Sequence, residues 1–174
     1  MTVPFFTRPA TVADIPALVS LINQAYRGTE AGWTSEGHLL DGPRTDAASL
    51  TELLRTGTIL TLLHADELVG CVYVQPQGTR LYVGMLAVSP ARQAQGLGRQ
   101  LLGAANDFAR QQGCQFLTMT VLEARPDLLA WYERHGFQRI GQPEPFPTDH
   151  NAGVPRQPLV LLRLEKPVTG AVEA

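Results

Sequence analysis

The stretch from Met85 to Arg99 constrains the fold most. It reads Met85-Leu86-Ala87-Val88-Ser89-Pro90, then Gln93-Ala94-Gln95-Gly96-Leu97-Gly98-Arg99. An apolar strand thus passes a proline stop and a glycine-containing turn into a helix, where Leu97, Leu101, Ala105 and Phe108 recur at helical spacing until Gly113. Such a strand-turn-helix is an anion site in outline. The first N–H groups of a helix lack intrahelical partners, the helix dipole adds positive potential there, and glycines let a pyrophosphate approach the main chain. Charge distribution agrees, because no acid occurs between Glu67 and Asp107 while Arg80, Arg92 and Arg99 do. A nucleotide-triphosphate loop requires Gly-Lys-Ser/Thr, yet Gly98 is followed by Arg99 and Gln100. A dinucleotide fingerprint requires a third glycine where Leu101 stands. Both are excluded.

The remaining elements assemble around that unit. Val3 to Arg8 reads as a short strand. Thr11, Asp14, Pro16, Leu18, Val19, Ile22 and Tyr26 read as a capped amphipathic helix. Residues 28 to 44 read as a loop or broken helix, and Asp46 caps a short helix that Gly57 stops. Thr58 to His64 and Leu68 to Val74 form a hairpin, and Arg80 to Val88, apolar on both faces, is a central strand. After the Leu97 helix come a strand over Gln115 to Leu122, a helix from Pro126 through Tyr132 ended by Gly136, and a strand starting at Phe137. Five of the 13 prolines fall in residues 143 to 158, an extended loop, and Leu159 to Leu164 is the last strand. With 174 residues, 44% of them hydrophobic and 17% charged, this order predicts one mixed α/β domain over residues 1–166 with a tail at 167–174.

Composition excludes several classes. A net charge of -2 argues against nucleic-acid binding, and the longest apolar runs are far too short to cross a bilayer. With no signal-peptide pattern either, a cytoplasmic location is expected. Cys71 and Cys114 stand 43 positions apart and His38, His64, His135 and His150 are scattered, so no metal site is predicted.

Gln93, Gly96 and Gly98, preceded by a Leu-x-Val strand end and Ser-Pro, match the Q/R-x-x-G-x-G/A motif of the GNAT superfamily of acetyl-CoA-dependent N-acetyltransferases, and Ala130-Trp131-Tyr132-Glu133-Arg134-His135-Gly136-Phe137 is similar to its A-x-Y-E-x-x-G-F segment. The chain resembles that superfamily over nearly its whole length. Gly32-Trp33-Thr34-Ser35-Glu36, Gly42-Pro43-Arg44-Thr45-Asp46 and Pro145-Phe146-Pro147 resemble a recurrent subgroup of it. The resemblance implies a mostly antiparallel sheet of about seven strands with about four helices. That sheet is splayed between the fourth and fifth strands, Arg80 to Val88 and Gln115 to Leu122, by a bulge near Leu86. It also implies acetyl-CoA as cosubstrate, its pantetheine arm on Leu86, Ala87 and Val88, mainly through main-chain bonds of Leu86 and Val88. The pyrophosphate would lie on Gln93, Ala94, Gln95, Gly96, Leu97, Gly98 and Arg99.

Tyr132 is the implied catalytic residue, a neutral phenol that gives a hydrogen bond or proton to the departing CoA thiolate. Two positions depart from the family pattern. Arg125 stands where many members keep a pantetheine-contacting Asn, and Arg80 to Val88 lacks the usual glutamate base. Glu123, Glu36 or a water chain are the alternatives for that base. Residues 28 to 54 carry Glu30, Glu36, Asp41, Asp46 and Glu52 against Arg44 alone, a net -4. With Trp33, Glu36 and Asp41 therefore compose a candidate acceptor site for a cationic amine, weighed against ordinary capping and solvated carboxylates. Acetylation of a primary amine of a small molecule or of a peptide or protein is the expected function, a non-catalytic acetyl-CoA-binding sensor or interaction module the alternative; neither reading fixes the oligomeric state, which leaves room for a homodimer.

Overall fold

The computed structural model describes residues 2–28, 35–147 and 153–170. The sheet is built around the predicted central strand. Its order is β1 (Phe5–Pro9), β3 (Thr58–His64), β4 (Glu67–Gln77), β5 (Arg80–Val88), β6 (Phe116–Leu122), β9 (Val160–Pro167) and β7 (Gln138–Pro145), which puts β5 fourth of seven. All neighbours are antiparallel except β5 and β6. Four α-helices flank it: α1 (Ile15–Arg27), α2 (Ala47–Thr56), α3 (Leu97–Gln111) and α4 (Pro126–Arg134).

Period-two alternation sorts the core onto the two faces. Ile59, Cys71, Tyr73 and Ala87 pack with Leu18, Ile22 and Tyr26 of α1 and Leu50 of α2. Leu60, Leu62, Val72 and Val74 pack with Leu101 and Ala105 of α3 and with Leu128, Leu129 and Tyr132 of α4. Each fully buried leucine contributes about 1.5–3 kcal/mol of transfer free energy, so sheet and helices hold each other. Local signals set the ends. Asp14 accepts from Thr11 N at 2.8 Å and from Arg8 Nη1 at 2.8 Å just before α1. Gly113, at φ +71, follows α3 with a turn of the chain that other residues adopt at a cost.

Two segments read as loops carry extra order. Leu40–Asp41 (β2) pairs with Val154–Pro155 (β8) in a small second sheet, joining the segment after α1 to the proline-rich one. Two-residue strands leave no periodicity to detect. Likewise β4 runs on through Pro76 to Gln77, with Pro76 opposite Leu81, because the tight turn at Gly78 (φ +63) keeps the hairpin closed to its tip.

The expected splay is present. Strands β5 and β6 pair only from Arg80/Phe116 to Tyr82/Thr118 and then separate. On the other edge of β5 the pairs Cys71/Ala87 and Tyr73/Gly84 leave Met85 and Leu86 facing the single residue Val72, a β-bulge with Met85 at φ +50. The bulge re-aims the strand, and the gap beyond Tyr82 is what positions the site.

Candidate active site

Two depressions meet across the end of β5. The inner cavity, about 150 Å3, lies in the gap between β5 and β6 and is walled by Tyr26, Glu36, Arg44, Tyr82, Leu86, Met119, Leu128 and Tyr132 among others. The outer groove, about 650 Å3, is lined by Val88, Arg92, Gln93, Ala94, Gly96 to Arg99, Asp127, Trp131, Arg134 and His135, and shares Leu128 with the cavity.

The groove floor is main chain. Gly96 precedes α3 at φ +74 and Ala94 sits at φ +64, and the first intrahelical bond runs from Gln100 N to Gly96 O at 3.1 Å. The N–H groups of Leu97, Gly98 and Arg99 therefore have no acceptor within the helix. No atom lies within 4 Å of where a Gly96 Cβ would stand, so the space above the turn is open. Arg92, Arg99, Arg134 and His135 put cationic or protonatable groups around it. Arg92 is already bound to Glu67 at 2.7 Å, and His135 Nδ1 lies 2.7 Å from Trp131 O. Gln95 is exposed on the same turn but outside the groove lining.

The strand end shows which polar groups face the gap. Ser89 N donates to Val69 O at 2.8 Å, so alternation points Ala87 at β4 and turns the N–H and C=O of Val88 toward the opening. Leu86 is held from behind. Its carbonyl accepts from the buried Tyr26 hydroxyl at 2.8 Å, and the carbonyl of Met85 lies 3.7 Å from the Cys71 thiol. Burial pushes that thiol up to about 12, so it stays a protonated donor to the bulge.

Tyr132 lies at the meeting of cavity and core, 6% exposed, edge-on to Trp131 at 5.0 Å and to Phe137 at 5.6 Å. Its pKa is raised well above the ordinary phenol value, chiefly by burial and then by the neighbouring Tyr26 and Glu36, so the hydroxyl keeps its proton.

Glu36 is the only carboxylate among the described residues that wall the inner cavity. It is 8% exposed, pairs with Arg27 Nη1 at 3.3 Å, and its N donates to Tyr26 O at 2.7 Å. Asp41 is elsewhere, exposed and bound to Arg156 at 2.6 Å, and Glu123 is exposed outside the cavity wall. Trp33 and Glu30 lie outside the described residues. Arg125, 4% exposed, grips Asp127 with Nε and Nη2 at 3.2 and 3.1 Å and donates from Nη1 to Ser35 O at 2.9 Å. It ties the start of α4 to the residue preceding Glu36. Sequence reasoning missed Tyr26, Arg44 and Tyr82 as cavity residues. Tyr26 had the signal of a polar tip on an otherwise apolar helix face.

Comparison with known proteins agrees with this geometry. Residues 18–137 match the model of the acetyltransferase (GNAT) family. An acetyltransferase of Agrobacterium fabrum is 41% identical over 61 residues, 35% of this chain and 43% of that protein, so the match spans less than half of the relative. Among solved structures, the ribosomal-protein-S18-alanine N-acetyltransferase of Escherichia coli superposes with a TM-score of 0.72 at 18% identity, covering 98% of this chain and 97% of that one. The ribosomal-protein-alanine N-acetyltransferase of Brucella melitensis gives 0.69 at 21% identity over 93% and 99%. The N-acetylglutamate synthase of Neisseria gonorrhoeae, complexed with coenzyme A and N-acetyl-glutamate, gives 0.68 at 20% identity over 96% of this chain and 36% of that one. A family model matched across more than half of the sequence, on a sheet splayed at the place the motifs require, makes this chain a member of the GNAT acetyltransferase family.

Proposed function

We propose that the protein is an N-acetyltransferase that moves the acetyl group of acetyl-CoA to a primary amine of a small molecule or peptide. The observation that carries this is the junction itself: a turn with bare main-chain N–H groups opens through a splayed sheet onto a cavity walled by the buried phenols of Tyr26 and Tyr132 and, among the described residues, by the single carboxylate of Glu36. The residues fit acetyl-CoA. Bare N–H groups at 97–99 and the open space over Gly96 suit a pyrophosphate, and the outward main chain of Val88 suits an extended amide arm. Leu86, Ala87 and Val88 with Gln93, Ala94 and Gly96 to Arg99 form that holding surface, Gln95 completing the turn outside the groove lining, and in it Ala87 anchors the strand to β4 and Tyr26 fixes Leu86.

Acetyl-CoA supplies an activated acyl group as a thioester. The acceptor nitrogen forms the new C–N bond as the C–S bond breaks. Glu36 takes the proton the amine must lose, and Tyr132 donates to the sulfur that departs. A phenol that stays neutral is suited to that donor role. A survey of primary amines by CoA thiol release, beside calorimetry with acetyl-CoA, tests the proposal. Acetyl-CoA binding with amine-dependent thiol release is expected; binding without release to any amine contradicts catalysis.

A further inference from the structure

Arg44 is the only cation among the described residues that wall the inner cavity. It also lines a neighbouring groove of about 710 Å3 between α2 and the β4–β5 hairpin, so it stands where the two spaces meet. Its main chain is clamped, since Arg44 N and Thr45 N donate to Asn23 Oδ1 at 2.8 and 3.1 Å and Asn23 Nδ2 donates to Thr45 O at 3.0 Å. Its guanidinium lies over the Tyr26 ring, 5.3 Å from the centroid. Among the described residues that guanidinium has no carboxylate or hydrogen-bond partner.

Among the described residues the acids of this segment are otherwise engaged. Glu36 pairs with Arg27, Asp41 with Arg156, Glu52 with Arg55, and Asp46 accepts from Ser49 N at the start of α2. Three of these carboxylates are therefore neutralised by arginines, and within the inner cavity the charged group without an ion-pair partner among the described residues is Arg44. A half-buried guanidinium whose donors lack acceptors among the described residues is poised for an anion, and its planar fork matches a carboxylate.

We infer that the acceptor is an amine that also carries a carboxylate, which Arg44 holds while Glu36 faces the nitrogen. The inference rests on the acetyl-transfer reading above and narrows it. Because Arg44 borders the same small cavity as Tyr132 and Glu36, the carboxylate lies only a few bonds from the amine, as in a free amino acid. A protein N-terminus has that carboxyl locked in a peptide bond. The acceptor's side chain then extends into the groove beside α2.

The test compares L-amino acids with their C-terminal amides and their decarboxylated amines, by CoA thiol release at a pH where every amine is largely neutral. Parent, Arg44→Ala and Arg44→Lys are run together, with acetyl-CoA affinity measured by calorimetry. The parent is expected to prefer the free acid by roughly ten-fold or more in kcat/KM. Arg44→Ala should bring the ratio to within about two-fold and Arg44→Lys should fall between, with acetyl-CoA affinity unchanged in both. Amides or decarboxylated amines used equally well by the parent, or a preference that survives Arg44→Ala, overturns this inference and leaves acetyl transfer standing. Bound acetyl-CoA with no amine acetylated overturns both.

Discussion

The groove at the start of α3 and the cavity beside Tyr132 solve different problems with different atoms. In the proposed reading the groove works through main-chain N–H groups, so its requirement is a backbone shape, written in one continuous stretch from Gln93 to Arg99. The cavity works through side chains delivered by separate segments: Tyr26 from α1, Glu36 and Arg44 from the connection to α2, Tyr82 from β5 and Tyr132 from α4. On that reading donor recognition is local in sequence and acceptor recognition is not. A fold can keep the first while rewriting the second.

The comparison breaks most completely at Gly96. Gly96→Asp places a side chain and a negative charge in the open space over the turn, at φ +74, and should weaken acetyl-CoA binding on the order of a hundred-fold or more. Calorimetry on the variant, with circular dichroism to confirm its fold, checks this. On the cavity side, Glu36→Gln should lower turnover on the order of a hundred-fold while acetyl-CoA affinity holds, the size expected for loss of a general base. Its amide still accepts from Arg27, which limits the cost to folding.

Tyr132→Phe sharpens the same contrast at a smaller scale. The ring keeps its contacts to Trp131 and Phe137, so affinity should stay and turnover should fall about ten-fold to a hundred-fold. A parallel loss of affinity makes Tyr132 a binding residue. Tyr26→Phe removes the hydrogen bond to Leu86 O and is expected to cost about 0.5–1.5 kcal/mol of stability, read from chemical denaturation. The smallest expectation is an absence. With the Tyr132 phenol raised by burial, kcat should show no alkaline fall at or below pH 10.0, the ordinary phenol value. On the acid side it should decline as the acceptor nitrogen becomes protonated.

The same contrast explains what the sequence made legible. The strand end at Leu86 to Val88 and the Gln93 to Arg99 turn were legible as structure because strand, stop and helix signals are contiguous there, while their role toward acetyl-CoA came from the family resemblance. The gap between β5 and β6 followed from the family resemblance, and the Met85 bulge lies beside the residue named for it. The acceptor side resisted for physical reasons. Along residues 28–54 the sequence shows Arg44 as the one base against five acids, but the fold brings Arg27, Arg55 and Arg156 to Glu36, Glu52 and Asp41. Arg156 comes from the far side of the fold, carried in by the pairing of β2 with β8. Tyr26 and Arg44 look like a core tyrosine and a surface arginine until α1 is laid against the bulge.

Hydrogen exchange of the backbone with and without acetyl-CoA tests the division of labour most directly. The amides of residues 94–99 and of Val88 should be slowed by bound acetyl-CoA, because their free N–H groups become donors to it, whereas the amides of Arg44 and Thr45, already bound to Asn23, should change little. Slowing confined to other segments, with residues 94–99 exchanging as in the free protein, contradicts the account.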